Sequence, residues 1–196
     1  MARPPRFSVD QLLDAAVELA AAGGPAAVTM AAVAHAAGAP SGSVYHRFAG
    51  RTALLAEVWL RTVERFQDGY FTALTSTDDP CRAAAAAARH VVAWSRAHPR
   101  EAAVLLYGPA EFGRPDWPEE YATRADTGNA RVHAALASLA DALKATGPQD
   151  PDRITLALVD LPLSVVRHHL RAGRPLPPHA ESLAEQCTGA LLRGEG

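Results

Sequence analysis

Apolar residues in this chain recur three and four positions apart almost everywhere and do not alternate over any run of β-branched residues. That spacing lines one face of a helix, whereas a half-buried strand needs an apolar residue at every second position. Residues Leu55, Trp59, Val63, Phe66 and Tyr70 step by four, four, three and four and make a single stripe. The expected fold is therefore all-α. Helix breakers divide it into about nine segments, with no internal repeat. Ser8 is a good N-cap for a first helix, which Gly23-Gly24-Pro25 stops. Thr29 caps a short second helix through Ala37, and Pro40 and Ser41 open a third that runs to about Phe48. Longer helices are expected over 51–74, 81–97, 119–145, 153–171 and 179–193, with a short one from Pro99 to near Gly108. Thr127-Gly128 is a weak point in the 119–145 helix, and Pro162 should remove a backbone bond from the 153–171 helix and kink it.

With 196 residues, 48% of them hydrophobic and 20% charged, the chain can bury a sizeable core without disulfides or metals. A formal net charge of -2 signals no nucleic-acid partner by itself, although only a contacting face need be positive. Cys81 and Cys187 have no metal-ligand spacing and read as reduced thiols packed as small hydrophobes. No apolar leader follows Arg3 and Arg6, and the run from Ile154 to Val166 is too short for a bilayer. A soluble, cytoplasmic protein without membrane partners is the expectation. No cofactor, metal or enzymatic centre is expected either. The eight histidines are scattered: His168 and His169 point to different helix faces, and His90 and His98 lack a Glu or Cys at ligand spacing. Ser41-Gly42-Ser43 has no preceding strand, so it is not a nucleophile elbow.

The segment from Thr29 to Phe48, TMAAVAHAAGAPSGSVYHRF, is the informative one. Two short helices joined by a glycine-containing turn are what a helix-turn-helix requires. Ala34 is small enough for the helices to cross closely, Gly38 suits a turn at positive φ, and Val44 points back to pin the second helix. Met30, Val33 and Ala37 complete the inner face. Ser41, Gly42, Ser43, Tyr45 and His46 then lie outward, where the start of a recognition helix meets base edges in the major groove. Thr29, Tyr45 and Arg51 are placed to hold phosphate, with Arg47 and Arg6 as additions. The bland alternative is a plain helical hairpin, with Tyr45 and Phe48 as core aromatics.

Residues 8–60 resemble the N-terminal domain of the TetR-like repressors through LLDAAVELAAAGG, VTMAAVAHAAGAPSGSVYHRF and GRTALLAEVW. Ser41 stands where that family usually has lysine, Ser43 replaces threonine, Val44 replaces leucine and Arg51 replaces a later lysine. The resemblance implies a DNA-binding head at 6–66 and a ligand-binding and dimerisation body at 67–196. It implies double-stranded operator DNA, a small-molecule effector and a second copy of the chain as partners. The implied role is a transcriptional regulator, with repressor as the default.

Candidates for an effector pocket are Trp59, Phe66, Tyr70, Trp94, Tyr107, Phe112, Trp117 and Tyr121, each of which could equally be plain core. The scarcity of charge favours an apolar or aromatic ligand. The 153–171 helix is apolar nearly all round, so it is either monomer core or, paired with the last helix, part of a four-helix dimer interface. Leu158, Leu161, Val165, Leu183, Cys187 and Leu191 would form that interface. The rival classes are a helical dimeric interaction protein with a non-functional head and an all-α enzyme.

Overall fold

The computed structural model describes residues 7–144 and 151–193, except for the side chains of 144, 151 and 193. Arg3, Arg6 and Gly147-Pro148 lie outside the described residues. Among those described there are nine helices and no strand. They are α1 (Val9–Gly23), α2 (Met30–Ala36), α3 (Ser41–Tyr45), α4 (Arg51–Leu74), α5 (Pro80–Ala97), α6 (Pro99–Leu105) and α7 (Glu119–Lys144). A composite α8 and then α9 (Ala180–Arg193) complete the set. The described residues form two compact units, one of residues 7–63 with 100–126, the other of 64–99 with 127–144 and 151–193.

Local chemistry sets most helix boundaries in the first unit. The Ser8 hydroxyl accepts from the Gln11 amide at 3.1 Å, while the Gln11 side chain accepts from the Ser8 amide at 2.9 Å. This reciprocal box satisfies two amides that have no partner inside the helix. Leu12, Leu13, Ala16, Val17 and Ala20 then present one apolar face to a core shared with α2, α3 and the first half of α4. Trp59, Tyr107, Phe112, Trp117 and Tyr121 extend the same core.

In the second unit α5 begins at Pro80, where the Asp79 carboxylate accepts from the amides of Cys81 and Arg82 at 2.9 and 3.1 Å. Proline at that position costs no hydrogen bond, since its amide would be an orphan anyway. The alanine-rich face of α5, with Val91 and Val92, packs in a core with Tyr70, Leu139, Leu143, Ile154 and residues of α9. Thr127 and Gly128 do not interrupt α7.

The largest departure from regular geometry is in α8, which runs as an α-helix over Pro151–Thr155, a π turn over Leu156–Asp160, and an α-helix over Leu161–Arg171. The expected loss of a bond at Pro162 appears as this change of register. Pro162 has no amide to donate, and the Leu161 amide reaches back five residues to the Leu156 carbonyl. The Ala157 carbonyl thereby loses its usual partner. The buried hydroxyl of Thr188, on α9, donates to it at 2.8 Å.

Candidate functional site

The turn between α2 and α3 fixes what α3 shows to solvent. The Thr29 hydroxyl accepts from the Ala32 amide at 3.1 Å and starts α2. At the other end Gly38 adopts φ +63, the Gly38 amide donates to the His35 carbonyl and the Ala39 amide to the Ala34 carbonyl. That pair of bonds is the Schellman stop, which needs a left-handed residue and so favours glycine. Beneath α3, Val44 and Val33 are fully buried, with Ala34, Met30 and Phe48 almost so. Ser41, Gly42, Tyr45 and His46 are exposed, Tyr45 to 63%, whereas Ser43 is half-buried. Regular helix ends at Tyr45, earlier than the sequence pattern suggests, but the Phe48 amide still donates to the Val44 carbonyl at 3.0 Å. The outward face is therefore a short, small-residue ridge ending in a phenol and an imidazole.

The two arginines of this region have structural tasks. Arg47 donates to the Phe7 carbonyl at 2.7 Å and to the Ser43 carbonyl at 3.4 Å. Arg51 donates through Nε to the Val28 carbonyl at 2.7 Å and through Nη2 to the Pro25 carbonyl at 2.8 Å, fastening the chain between α1 and α2 to the start of α4. Both partners are backbone oxygens, which is why composition shows neither tie. The acidic residues of α1 are also matched. Arg61 reaches Asp14 at 2.7 Å and Asp10 at 3.4 Å, and Arg100 reaches Glu18 at 3.2 Å.

The eight aromatic pocket candidates do not converge on one place. Trp59, Tyr107, Phe112, Trp117 and Tyr121 lie in the core of the first unit. There the Trp59 and Trp117 rings stand 5.9 Å apart, and the Trp117 indole donates to the Phe112 carbonyl at 2.9 Å. Phe66, Tyr70 and Trp94 lie in the second unit, where Phe66 meets Tyr70 at 5.7 Å and the edge of Trp94 at 5.3 Å. Phe66 and Tyr70 line a cavity of about 210 Å³ inside that unit, together with Val91 of α5. Its other walls are Asn129, Val132 and His133 of α7 and Leu158, Val159 and Leu163 of α8, with Gln67 beside Phe66.

The sequence reading did not single out the α7 and α8 walls as pocket residues. The signal on α7 was the spacing Asn129, Val132, His133, which puts all three on one helix face. No carboxylate, guanidinium or ammonium group lines the cavity among the described residues. The Tyr70 hydroxyl is buried with no hydrogen-bond partner, and burial pushes its pKa up to about 12. His90 stacks on Phe66 at 5.5 Å and hydrogen-bonds the Phe66 carbonyl at 3.1 Å. Desolvation lowers its pKa, partly offset by that bond. Gly69 makes the approach possible, since a Cβ there would stand 2.3 Å from the His90 ring.

Of the six interface candidates, Leu158 is wholly buried in the chain's own core and forms part of the cavity. Leu161, Val165, Cys187 and Leu191 are half-buried, and Leu183 is 43% exposed. Leu156 on the π turn adds a further exposed apolar side chain, at 47%.

Residues 12–58 match the model of the bacterial regulatory proteins of the tetR family. No curated protein matches the chain in sequence. Solved structures match over nearly its full length. The TetR family regulator PfmR from Thermus thermophilus superposes with a TM-score of 0.70 at 20% identity, covering 97% of this chain and 98% of that one. AmtR from Mycobacterium smegmatis gives 0.71 at 21%, covering 99% and 90%. The regulator FadR from Bacillus subtilis, solved in complex with stearoyl-CoA, gives 0.69 at 13%, covering 96% and 100%.

Proposed function

We propose that this chain is a DNA-binding transcriptional regulator of the TetR type: a homodimeric cytoplasmic repressor released from its operator by a small, mostly apolar ligand. In this reading residues 6–66 bind DNA and residues 67–196 hold the ligand and the partner subunit. The observation that carries it is the α3 ridge. Val44 and Ala34 lock it from behind while Ser41, Gly42, Tyr45 and His46 face outward. Small residues let the helix enter the major groove, and Ser43 and His46 supply hydrogen bonds to base edges. Thr29 and Tyr45 hold phosphate, with Arg47 and Arg51 at the flanks.

The dimer in this proposal forms through Leu161 and Val165 of α8 and Leu183, Cys187 and Leu191 of α9. Leu156 joins them, and Leu158 stays within its own subunit. Two heads then meet successive major grooves about 34 Å apart. Helix α4 is continuous from Arg51 beside the DNA to Phe66 and Tyr70 at the cavity. A ligand that prefers a wider head spacing draws the population away from the DNA-bound state through it. Stearoyl-CoA, the ligand of the Bacillus subtilis neighbour, is the contrasting chemistry. The cavity of about 210 Å³ at Phe66 and Tyr70 has no charged lining residue, which supports a smaller, uncharged ligand there.

Fluorescence anisotropy on the duplex flanking the gene, against a scrambled duplex, tests the reading. Preference for the flanking duplex, altered in its base choice by Ser43→Ala or His46→Ala, is the expected result. Dimerisation without any preference, unmoved by Tyr45→Ala, would favour a helical interaction protein with an idle head.

A further inference from the structure

We infer that the end of α8 and the turn leading from it to α9 form a second phosphate-binding surface, through which the body of the protein grips the backbone of double-stranded DNA. The inference rests on the DNA-binding reading and adds a contact outside the head. From Leu161 to Ala180 the chain carries three arginines and three histidines and no carboxylate. Helix geometry gathers most of them. Arg167 and Arg171 stand four apart and His168 and Arg171 three apart, so they are neighbours on the exposed end of α8. Arg174 lies beyond the helix but reaches back, and its Nη2 donates to His168 Nε2 at 3.0 Å.

The backbone that carries Arg174 is held at several points. Gly173 adopts φ +62, the Gly173 amide donates to the Leu170 carbonyl and the Arg174 amide to the His169 carbonyl, both at 3.0 Å. This is a Schellman stop. Leu176 is then buried between two prolines, and Arg96 of α5 donates to the Pro177 carbonyl at 2.8 Å. A cation set on a fixed frame has less freedom to lose on meeting a partner. The turn also borders the end of α5, from which the chain passes on into the unit of the head at residue 100.

The nearby carboxylates are distant or engaged. Asp160 precedes Arg167 by seven residues, about 10 Å along the helix. Glu181 and Glu185 of α9 pair with Arg89, and Glu181 also with Arg96. Among the described residues Arg167, Arg171 and Arg174 have no carboxylate partner. Phosphate is the anion this set fits. All three cations are guanidiniums, whose planar fork matches phosphate oxygens. The head's own Arg47 and Arg51 are already bonded to carbonyls, so a chain of net charge -2 keeps its free guanidiniums here.

Anisotropy of the full-length protein on the flanking and the scrambled duplex, between about 50 and 200 mM salt, reads this surface directly. The variant Arg167→Gln/Arg171→Gln/Arg174→Gln should reduce the slope of log affinity against log salt by about 0.9 for each phosphate given up, about 2.7 for three. The reduction should be the same on both duplexes, with the preference between them unchanged. The corresponding triple Lys variant keeps the charge and should keep the wild-type slope. All three side chains are exposed, so both variants fold, and their urea midpoints check it.

A wild-type slope in the Gln variant would overturn the assignment. A lowered urea midpoint alongside it would leave the arginines as partners of the helix dipole only. Equal loss of slope in the Lys and Gln variants would overturn it as well. Labelled poly-glutamate is the second probe: binding that the Gln variant loses, with duplex binding intact, would assign the surface to an acidic protein partner instead. The reading of the head fails separately. A wild type without preference for the flanking duplex, whose slope still falls in the Gln variant, would sink base recognition by α3 and uphold the phosphate surface. Preference with an unmoved slope would do the reverse.

Discussion

Arg51 has one observed role and one proposed role on the same side chain. Its Nε and Nη2 tie down the Val28 and Pro25 carbonyls, and its position at the start of α4 suits a phosphate contact. Arg51→Ala should therefore move two independent readouts. Loss of the two charge-assisted bonds lowers stability by about 1–2 kcal/mol, measured by urea unfolding. Loss of a phosphate contact reduces the slope of log affinity against log salt by about 0.9. A fall in stability with an unchanged slope would make Arg51 a fastener only. His90 is the other residue whose surroundings dictate a measurable response. Burial lowers its pKa in the folded chain, so over the window just below the ordinary histidine value the unfolded chain binds a proton that the folded chain refuses. Stability is thus fully present above that window and declines as pH falls through it. His90→Gln should flatten the difference in urea midpoint between pH 7.5 and 5.5. An equally steep wild-type and variant response would place the titrating group elsewhere.

At the scale of elements, two devices invite substitution. Gly38 sits at φ +63 and a Cβ there would meet nothing within 4 Å. Gly38→Ala should therefore cost only the left-handed strain, about 1–2 kcal/mol, and Gly38→Asn less. Thermal unfolding of the three proteins checks the order. In α8 the π turn depends on the Thr188 hydroxyl meeting the Ala157 carbonyl. Thr188→Val keeps the shape and leaves that carbonyl unpaired in the core, at a cost of about 1–3 kcal/mol. Thr188→Ser should recover part of it, and equal midpoints for the Val and Ser variants would contradict the pairing. These two devices also mark how far the sequence is legible. Ser8, Thr29 and Gly38 act on neighbours within a few residues, so capping chemistry placed α1, α2 and the turn directly. The π turn needed Pro162 and a hydroxyl 31 residues from the carbonyl it serves, and no local pattern joins the two. The cavity was half legible for the same reason. Phe66 and Tyr70 stand on a visible stripe, but Asn129, His133 and Leu158 become walls only when α7 and α8 converge. The α4 stripe looks uniform along the sequence, although Trp59 serves one core and Phe66 the other.

For the whole molecule the question is how a chain with net charge -2 would hold a polyanion, as the proposed function requires. Its head has few cations to spend, since Arg47 and Arg51 already bind carbonyls and Arg61 faces Asp14. On the proposed reading one head alone binds weakly, and affinity comes from joining two. A second head tethered to the first sees the duplex at high effective concentration, which raises affinity by about 10²–10⁴ without a new contact. Leu183, 43% exposed, is the most accessible of the proposed interface residues on α9. Leu183→Arg places a charge where an apolar face should close, while leaving the chain's own core untouched. The variant should run as a monomer by light scattering and lose at least about 10²-fold in DNA affinity. Its thermal midpoint should cease to depend on protein concentration. A monomer that still holds the flanking duplex at wild-type affinity would mean that one head suffices, and that affinity comes from base and phosphate contacts richer than the α3 ridge provides.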